Sequence, residues 1–153
     1  MATSPNPPSA SSQTTPRRVA FLLCGGLGTR LRGVTDQPKA LIDVAGWPFL
    51  RYHLEALSGA RFGRIVFLTG HGADEVERAF GPPSGERIFV REDSPLGTGG
   101  ALANARSWAG EVNWVANGDS FADVSPNTIL GTHRTGTGQI VAVHVEELSL
   151  IHI

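Results

Sequence analysis

A glycine-rich segment, LLCGGLGTRLR at residues 22–32, has residue types that could bind phosphate. It passes from an apolar stretch into Gly25, Gly26 and Gly28 and then reaches Arg30. Glycines let backbone N–H groups approach an anion closely, and a guanidinium is a permanently charged fork suited to phosphate oxygens. The pattern therefore predicts an anion-binding loop, and a tight turn with arginines facing solvent is the alternative.

Two common phosphate-binding motifs do not fit this segment. The phosphate loop of nucleoside triphosphatases requires Gly-Lys-Ser/Thr, whereas Lys39 follows a proline and precedes Ala40. The dinucleotide fingerprint Gly-x-Gly-x-x-Gly begins at Gly26 but has Leu31 at its third glycine position. A dinucleotide-binding oxidoreductase is therefore disfavoured.

Lys39 is the only lysine among the 13 lysines and arginines of the chain. A compact ammonium on a flexible stem interacts with phosphate differently from a planar guanidinium. Its uniqueness indicates a specific role, and a surface lysine without one is the alternative.

Two further segments contain residues suited to a nucleotide and a metal. REDSPLGTGGALANA at 91–105 has glycines that allow the backbone to lie against a planar base, before a helix start with free N–H donors. VNWVANGDSF at 112–121 places Asp119 after an apolar run, where a carboxylate can hold a divalent metal against phosphates. Taken alone, the first segment is equally a loop with a helix cap, and the second equally an ordinary Asn-Gly-Asp turn.

Short apolar runs alternate with helical patterns along the chain, which indicates an α/β fold with a mostly parallel sheet covered on both faces. The predicted strands are residues 19–24, 64–69, 87–91, 112–116 and 139–145. The predicted helices are residues 48–57, 70–80, 100–108 and 126–133. Ligands bind such sheets at the carboxyl ends of the strands, so the segments described above should meet at that edge.

Length and composition narrow the class of protein. A chain of 153 residues suggests one domain, a net charge of -1 gives no support for a nucleic-acid or membrane partner, and lone Cys24 excludes an internal disulfide framework. No apolar run reaches the roughly 20 residues that span a bilayer, so we predict a cytoplasmic protein. Residues 1–18, rich in Ser, Thr and Pro, predict a disordered tail before a domain at 19–153.

Four motifs resemble those of the sugar nucleotidyltransferases and occur in the same order along the chain. They are GGLGTRL at 25–31, PKAL at 38–41, PLGTGGAL at 95–102 and NGDS at 117–120. The resemblance covers most of residues 19–145 and is strongest to heptose and mannose 1-phosphate guanylyltransferases. It implies a Rossmann-like three-layer sandwich and transfer of a nucleoside monophosphate, from GTP in preference to other triphosphates, to a sugar 1-phosphate.

The resemblance also implies roles for individual residues. Arg30 and Lys39 would be catalytic, and Asp119 would bind Mg²⁺. The nucleotide-binding set that it implies is Leu22, Gly25, Gly26, Gly28, Thr29, Arg30, Glu92, Gly97 and Thr98. The attacking sugar phosphate is already anionic, so positioning and charge neutralisation suffice and no general base is needed. The five histidines show no ligand spacing and are interpreted as structural or surface residues.

Family members normally continue beyond this length and carry a second metal-binding aspartate, which has no evident counterpart after Asp123. The domain is therefore expected to be incomplete at its C-terminus. A nucleotide-binding module without turnover is the alternative function. Apolar strands left open at a sheet edge tend to pair with other copies, so a homo-oligomer is also an expectation.

Overall fold

The centre of the molecule is a four-stranded parallel sheet. The computed structural model describes residues 17–26, 37–134 and 136–140. The sheet strands are β1 (Arg18–Leu23), β4 (Arg64–Thr69), β5 (Arg87–Arg91) and β6 (Val112–Asn117), in the order β5-β4-β1-β6. The predicted α/β class with a mostly parallel sheet is therefore confirmed.

Short helices and a small hairpin connect these strands. The helices are α1 (Phe49–Ser58), α2 (Ala73–Phe80), α3 (Gly97–Asn104) and α4 (Pro126–Thr132), with 3-10 turns at Lys39–Leu41 and Arg106–Trp108. The hairpin pairs β2 (Asp43–Val44) with β3 (Trp47–Pro48). Among the described residues, the helices are too short or too polar to cross a membrane.

Apolar side chains cover the sheet on both faces, as parallel strands require. On one face, Leu22 of β1 and Phe67 of β4 pack with Leu50 of α1 and Val76 of α2. On the other face, Phe21 and Val66 belong to a cluster that includes Ala105 and Trp108 beside α3. The result is the predicted three-layer arrangement of helix, sheet and helix.

Two predicted elements need correction, and one element was not predicted. The helix predicted at 100–108 begins at Gly97 and ends at Asn104, because Ala105 leaves the helical conformation before the second 3-10 turn. The β2–β3 hairpin, which has positive φ at Ala45 and Gly46, was missed. Of the strand predicted at 139–145, residues 139 and 140 are not in a strand, and the rest lies outside the described residues.

Candidate active site

A cleft of about 530 Å³ opens at the carboxyl ends of β1 and β6. The predicted site residues that line it are Gly25, Gly26, Lys39, Glu92, Gly97, Thr98 and Asp119. Residues that the sequence did not single out also line it, among them Leu23, Ala40 and Asn117. The fold therefore brings together four segments that are distant in sequence.

Lys39 and Asp119 form an ion pair at this cleft. The Lys39 Nζ lies 3.4 Å from Asp119 Oδ2 across 80 residues of sequence. The Ser120 hydroxyl donates to the other carboxylate oxygen, Oδ1, at 3.2 Å. Both charged side chains retain access to solvent, at 31% for the lysine and 46% for the aspartate, so a phosphate can reach either one.

Local backbone geometry fixes both members of the pair. The Pro38 carbonyl accepts from the Leu41 N–H at 2.8 Å, which closes the 3-10 turn that carries Lys39. On the other side, the Gly118 N–H donates to the Leu23 carbonyl at 2.8 Å and extends the β1–β6 ladder. A Cβ at Gly118 would lie 2.9 Å from that same carbonyl oxygen, so the close approach of β6 to β1 requires glycine just before Asp119.

Glu92, in the segment 91–105, lies close to the glycine-rich segment 22–32. Its Oε2 accepts from the Leu96 N–H at 3.2 Å, and its Oε1 lies close to Gly25, only 2.8 Å from where a Cβ on that residue would be. The left-handed conformation of Gly97, with φ of +69°, then turns the chain into α3. The positive φ thus favours glycine at position 97, whereas the neighbour of Gly25 is the movable end of the Glu92 side chain.

The structure places Leu22 differently from the other predicted site residues. Its side chain is fully buried among the core residues, and Leu23 lines the cleft instead. Successive strand residues face opposite sides of a sheet, so the two leucines cannot both face the cleft. The predicted residues Gly28, Thr29 and Arg30 lie outside the described residues, and their roles stay predictions.

Cys24 lies at the end of β1 with its thiol buried. Burial raises the pKa of the thiol to about 12, and the negative charge of Asp119 adds to the effect.

We expect native protein to resist thiol-specific reagents at pH 8 and to react once denatured, which absorbance at the reagent's wavelength would measure. Because the unfolded thiol ionises first, the free energy of unfolding should also fall as the pH rises from about 9 towards 12. Rapid modification of native protein would contradict this burial.

His53 is one of the five histidines interpreted from the sequence as structural or surface residues, and the structure buries it. It lies on the buried face of α1 with 7% of its surface exposed. Burial lowers the pKa of the imidazole, an effect that the nearby negative charge of Asp119 partly offsets. The spacing of His53 between Leu50 and Leu57 on one helical face predicts its burial, but nothing in the sequence indicates its proximity to Asp119.

The Asp119 carboxylate at the cleft suits a magnesium site that is completed by substrate phosphates. Magnesium is commonly bound through one or two carboxylates together with substrate phosphates and water. In the described parts of the chain, no three His, Cys, Asp or Glu side chains are grouped to enclose an ion. A single carboxylate such as that of Asp119 fits a magnesium ion that is also held by the phosphates of a bound triphosphate.

Residues 20–144 match the family model described as the MobA-like NTP transferase domain. The chain belongs to the MobA-like NTP transferase family. The predicted resemblance to sugar nucleotidyltransferases is confirmed by this match and by the relatives described next.

Two relatives of this NTP transferase chain carry named activities. It is 36% identical over 140 residues to a mannose-1-phosphate guanylyltransferase catalytic subunit beta of Drosophila pseudoobscura pseudoobscura, covering 85% of this chain and 38% of that protein. It is 32% identical over 108 residues to a D-glycero-alpha-D-manno-heptose 1-phosphate guanylyltransferase of Campylobacter jejuni, covering 69% and 49%.

A solved structure supports the same fold. The crystal structure of HddC from Yersinia pseudotuberculosis complexed with GMP-PN matches with a TM-score of 0.63 and 33% identity. The match covers 74% of this chain and 52% of that one. The NTP transferase chain thus spans half or less of the length of the two relatives and about half of this structure.

Proposed function

We propose that the protein transfers guanylate from GTP to a sugar 1-phosphate of the mannose or manno-heptose type, giving a GDP-sugar and pyrophosphate. The observation that carries the proposal is the Lys39–Asp119 pair at 3.4 Å on the same cleft as Glu92 and Gly97. One side of the cleft offers charge for phosphates, and the other offers a backbone loop and a carboxylate for a base.

The reaction needs little beyond positioning and charge. A sugar phosphate oxygen attacks the α-phosphorus in line as the bond to pyrophosphate breaks. The Lys39 ammonium lies at the cleft, where it can neutralise charge on the α-phosphate and the incoming sugar phosphate. Asp119 would hold magnesium against the triphosphate, where the ion supplies further charge neutralisation. Arg30, by the family resemblance, would contact the departing phosphates.

The chemistry of Glu92 supports guanine over other bases. An ionised carboxylate accepts hydrogen bonds and donates none, and each of its oxygens has two lone pairs. Guanine presents an N–H and an amino group on one edge, so it can donate twice to such a carboxylate. Uracil and thymine donate once there and present carbonyl oxygens, which a carboxylate repels. The bond from Leu96 leaves acceptor capacity on Glu92 for this contact.

Glu92→Gln is therefore expected to reduce the preference for GTP. The amide has one donor and one acceptor group, so it matches uracil as well as guanine. The dissociation constant of UTP divided by that of GTP should therefore fall about tenfold. This change corresponds to the loss of one hydrogen bond to a charged group. Glu86→Gln makes the same chemical change on an exposed loop residue away from the cleft and should leave the ratio unchanged. An unaltered ranking of bases in the Glu92 variant would remove Glu92 from base selection.

A nucleotide-binding module without turnover is the second candidate function, because the residues that line the cleft could bind a nucleotide with or without turnover. A melting series separates the proposals, with GTP, ATP, UTP, CTP, dTTP and NAD, each with and without magnesium. A ligand at 100 times its dissociation constant adds about 2.7 kcal/mol of stability. The guanylyltransferase proposal predicts the largest rise with GTP and magnesium, together with pyrophosphate release that depends on added sugar phosphate. Stabilisation by GTP without that release would favour the binding module, and no response to any triphosphate would reject both.

A further inference from the structure

The turn that carries Lys39 lies against the start of helix α2. The residue before it, Pro38, is buried, and Ala40 and Leu41 belong to the same core cluster as Val76 of α2. The Lys39 side chain extends from this buried segment to the cleft, where 31% of it is exposed. The position of the ammonium therefore depends on how the turn packs against α2.

Gly72, the residue before α2, provides the space for this packing. A Cβ on Gly72 would overlap with the Cγ of the Pro38 ring and lie 3.0 Å from its Cβ. Carbon atoms in contact ordinarily lie about 3.5 to 4.0 Å apart, and a closed proline ring cannot rotate away as a flexible side chain can. A side chain at position 72 therefore displaces either Pro38 or the start of α2.

The backbone at Gly72 is held more firmly than the turn. Its carbonyl accepts from the Val76 N–H at 3.1 Å, and the Gly70 carbonyl accepts from the Ala73 N–H at 3.2 Å, so both ends of the β4–α2 connection are bonded to the helix. The turn at Lys39–Leu41 is three residues long and is closed by local backbone bonds. An added side chain should therefore move the shorter element, which is the turn.

We infer that Gly72 is a positioning residue for Lys39. The absence of a side chain lets Pro38 lie against α2, and this contact keeps the Lys39 ammonium 3.4 Å from Asp119 Oδ2 at the cleft. The consequence for catalysis rests on the proposed function. The geometric content, which is the dependence of the Lys39–Asp119 pair on residue 72, needs no substrate.

Backbone conformation alone does not account for this requirement. Gly72 has φ of +73°, in the left-handed region that glycine adopts at low cost and asparagine tolerates. Gly81, at the other end of α2, also has a positive φ, of +84°. A Cβ there would meet Arg87 Nη1 at 3.8 Å, which is an ordinary contact. The two glycines thus share a positive φ and differ in what a side chain would displace.

Since Lys39 is the only lysine in the chain, a single NMR signal can report on the pair. Reductive methylation with ¹³C-formaldehyde labels Lys39 and the N-terminal amine and retains the positive charge. Asp119→Asn defines the position of the Lys39 methyl signal when the carboxylate is lost. We expect Gly72→Ala to move the signal towards that position. Gly81→Ala is the matched control, which should lower the melting temperature through its positive φ and leave the signal at the wild-type position.

Two further comparisons separate the contact with Pro38 from backbone strain. Gly72→Asn adds a Cβ on a residue type that tolerates the left-handed region, so it should move the signal as Gly72→Ala does, and it provides the test if the alanine variant does not fold. Pro38→Ala removes the ring Cγ. In the Pro38→Ala background, each Gly72 substitution should therefore cause a smaller shift than in the wild-type background.

Turnover is the second readout. Misplacing a catalytic group by about 1 Å can cost about 100-fold in rate. Gly72→Ala should therefore lower sugar-phosphate-dependent pyrophosphate release at saturating GTP about 10- to 100-fold, whereas Gly81→Ala should leave it unchanged.

Three results would overturn the inference. The first is a Lys39 signal at the wild-type position in folded Gly72→Ala or Gly72→Asn, and the second is an equal shift in Gly81→Ala. The third is a shift or a loss of folding in the Gly72 variants that Pro38→Ala does not reduce. Because the signal is read without nucleotide, a failure of GTP to bind would reject the proposed function and leave this result standing.

Discussion

Lys39→Met is expected to lower sugar-phosphate-dependent pyrophosphate release about 100- to 1,000-fold, the usual effect of removing one preorganised group that stabilises charge in a transition state. Methionine has a similar length without the ammonium, so the change isolates the charge. Turnover should be measured at saturating GTP and sugar phosphate, so that the rate loss is separated from weaker binding.

Lys39→Arg is the matched control for charge. A guanidinium keeps the positive charge but is broader and planar, and at a site 31% exposed it can still face Asp119. We expect this variant to bind GTP nearly as well as the wild type and to recover only part of the rate. Wild-type turnover in Lys39→Met would exclude the ammonium from the reaction.

Asp119→Asn is expected to abolish most of the effect of magnesium on GTP binding. The carboxamide lacks the negative charge that magnesium requires, and no cluster of other ligands among the described residues compensates for it. Titration calorimetry of GTP at several magnesium concentrations should show a dissociation constant that hardly changes with the metal in the variant and falls strongly in the wild type.

The stability of the Asp119 variant without ligand should change little. Ion pairs accessible to solvent contribute about 0 to 1 kcal/mol, and the Lys39–Asp119 pair is of this kind. Asp123→Asn, which alters an exposed carboxylate four residues later, provides the control and should keep the full response to magnesium. A strong magnesium response in Asp119→Asn would place the metal on other ligands.

The sequence predicted the elements that carry strong local patterns. β1, β4 and β5 are apolar runs buried in a parallel sheet, and α1 has buried residues at helical spacing, so pattern and structure agree. The predicted start of α3 at Gly100 is three residues late because its first turn, Gly97 to Gly100, consists of three glycines and one threonine. Glycine carries no side chain from which a periodicity could be read.

The candidate site was predictable in its charged residues and less so in its supports. Lys39 and Asp119 lie within motifs that can be recognised in the sequence, and the fold brings the two side chains together. The motif at 22–25 does not encode which side chains of β1 face the cleft, and the structure places Leu23 there and buries Leu22 in the core. The His53 ring packs against the ring of Phe121, which is 68 positions later in the chain, and no local sequence pattern indicates that contact.

The pairing of β6 with β1 also sets the order in which the protein can become functional. Leu23 pairs with Asn117, and the next residue, Gly118, continues the contact, so the carboxylate at 119 reaches the lysine only after this strand has joined the sheet. Contacts between such distant residues are slow to form, because a long loop must close first. On a ribosome, a nascent chain in which β6 has not yet been synthesised would contain the lysine and both glycine segments and still lack the Lys39–Asp119 pair. The capacity to bind a metal-bound nucleotide would then mark the addition of β6 to the sheet.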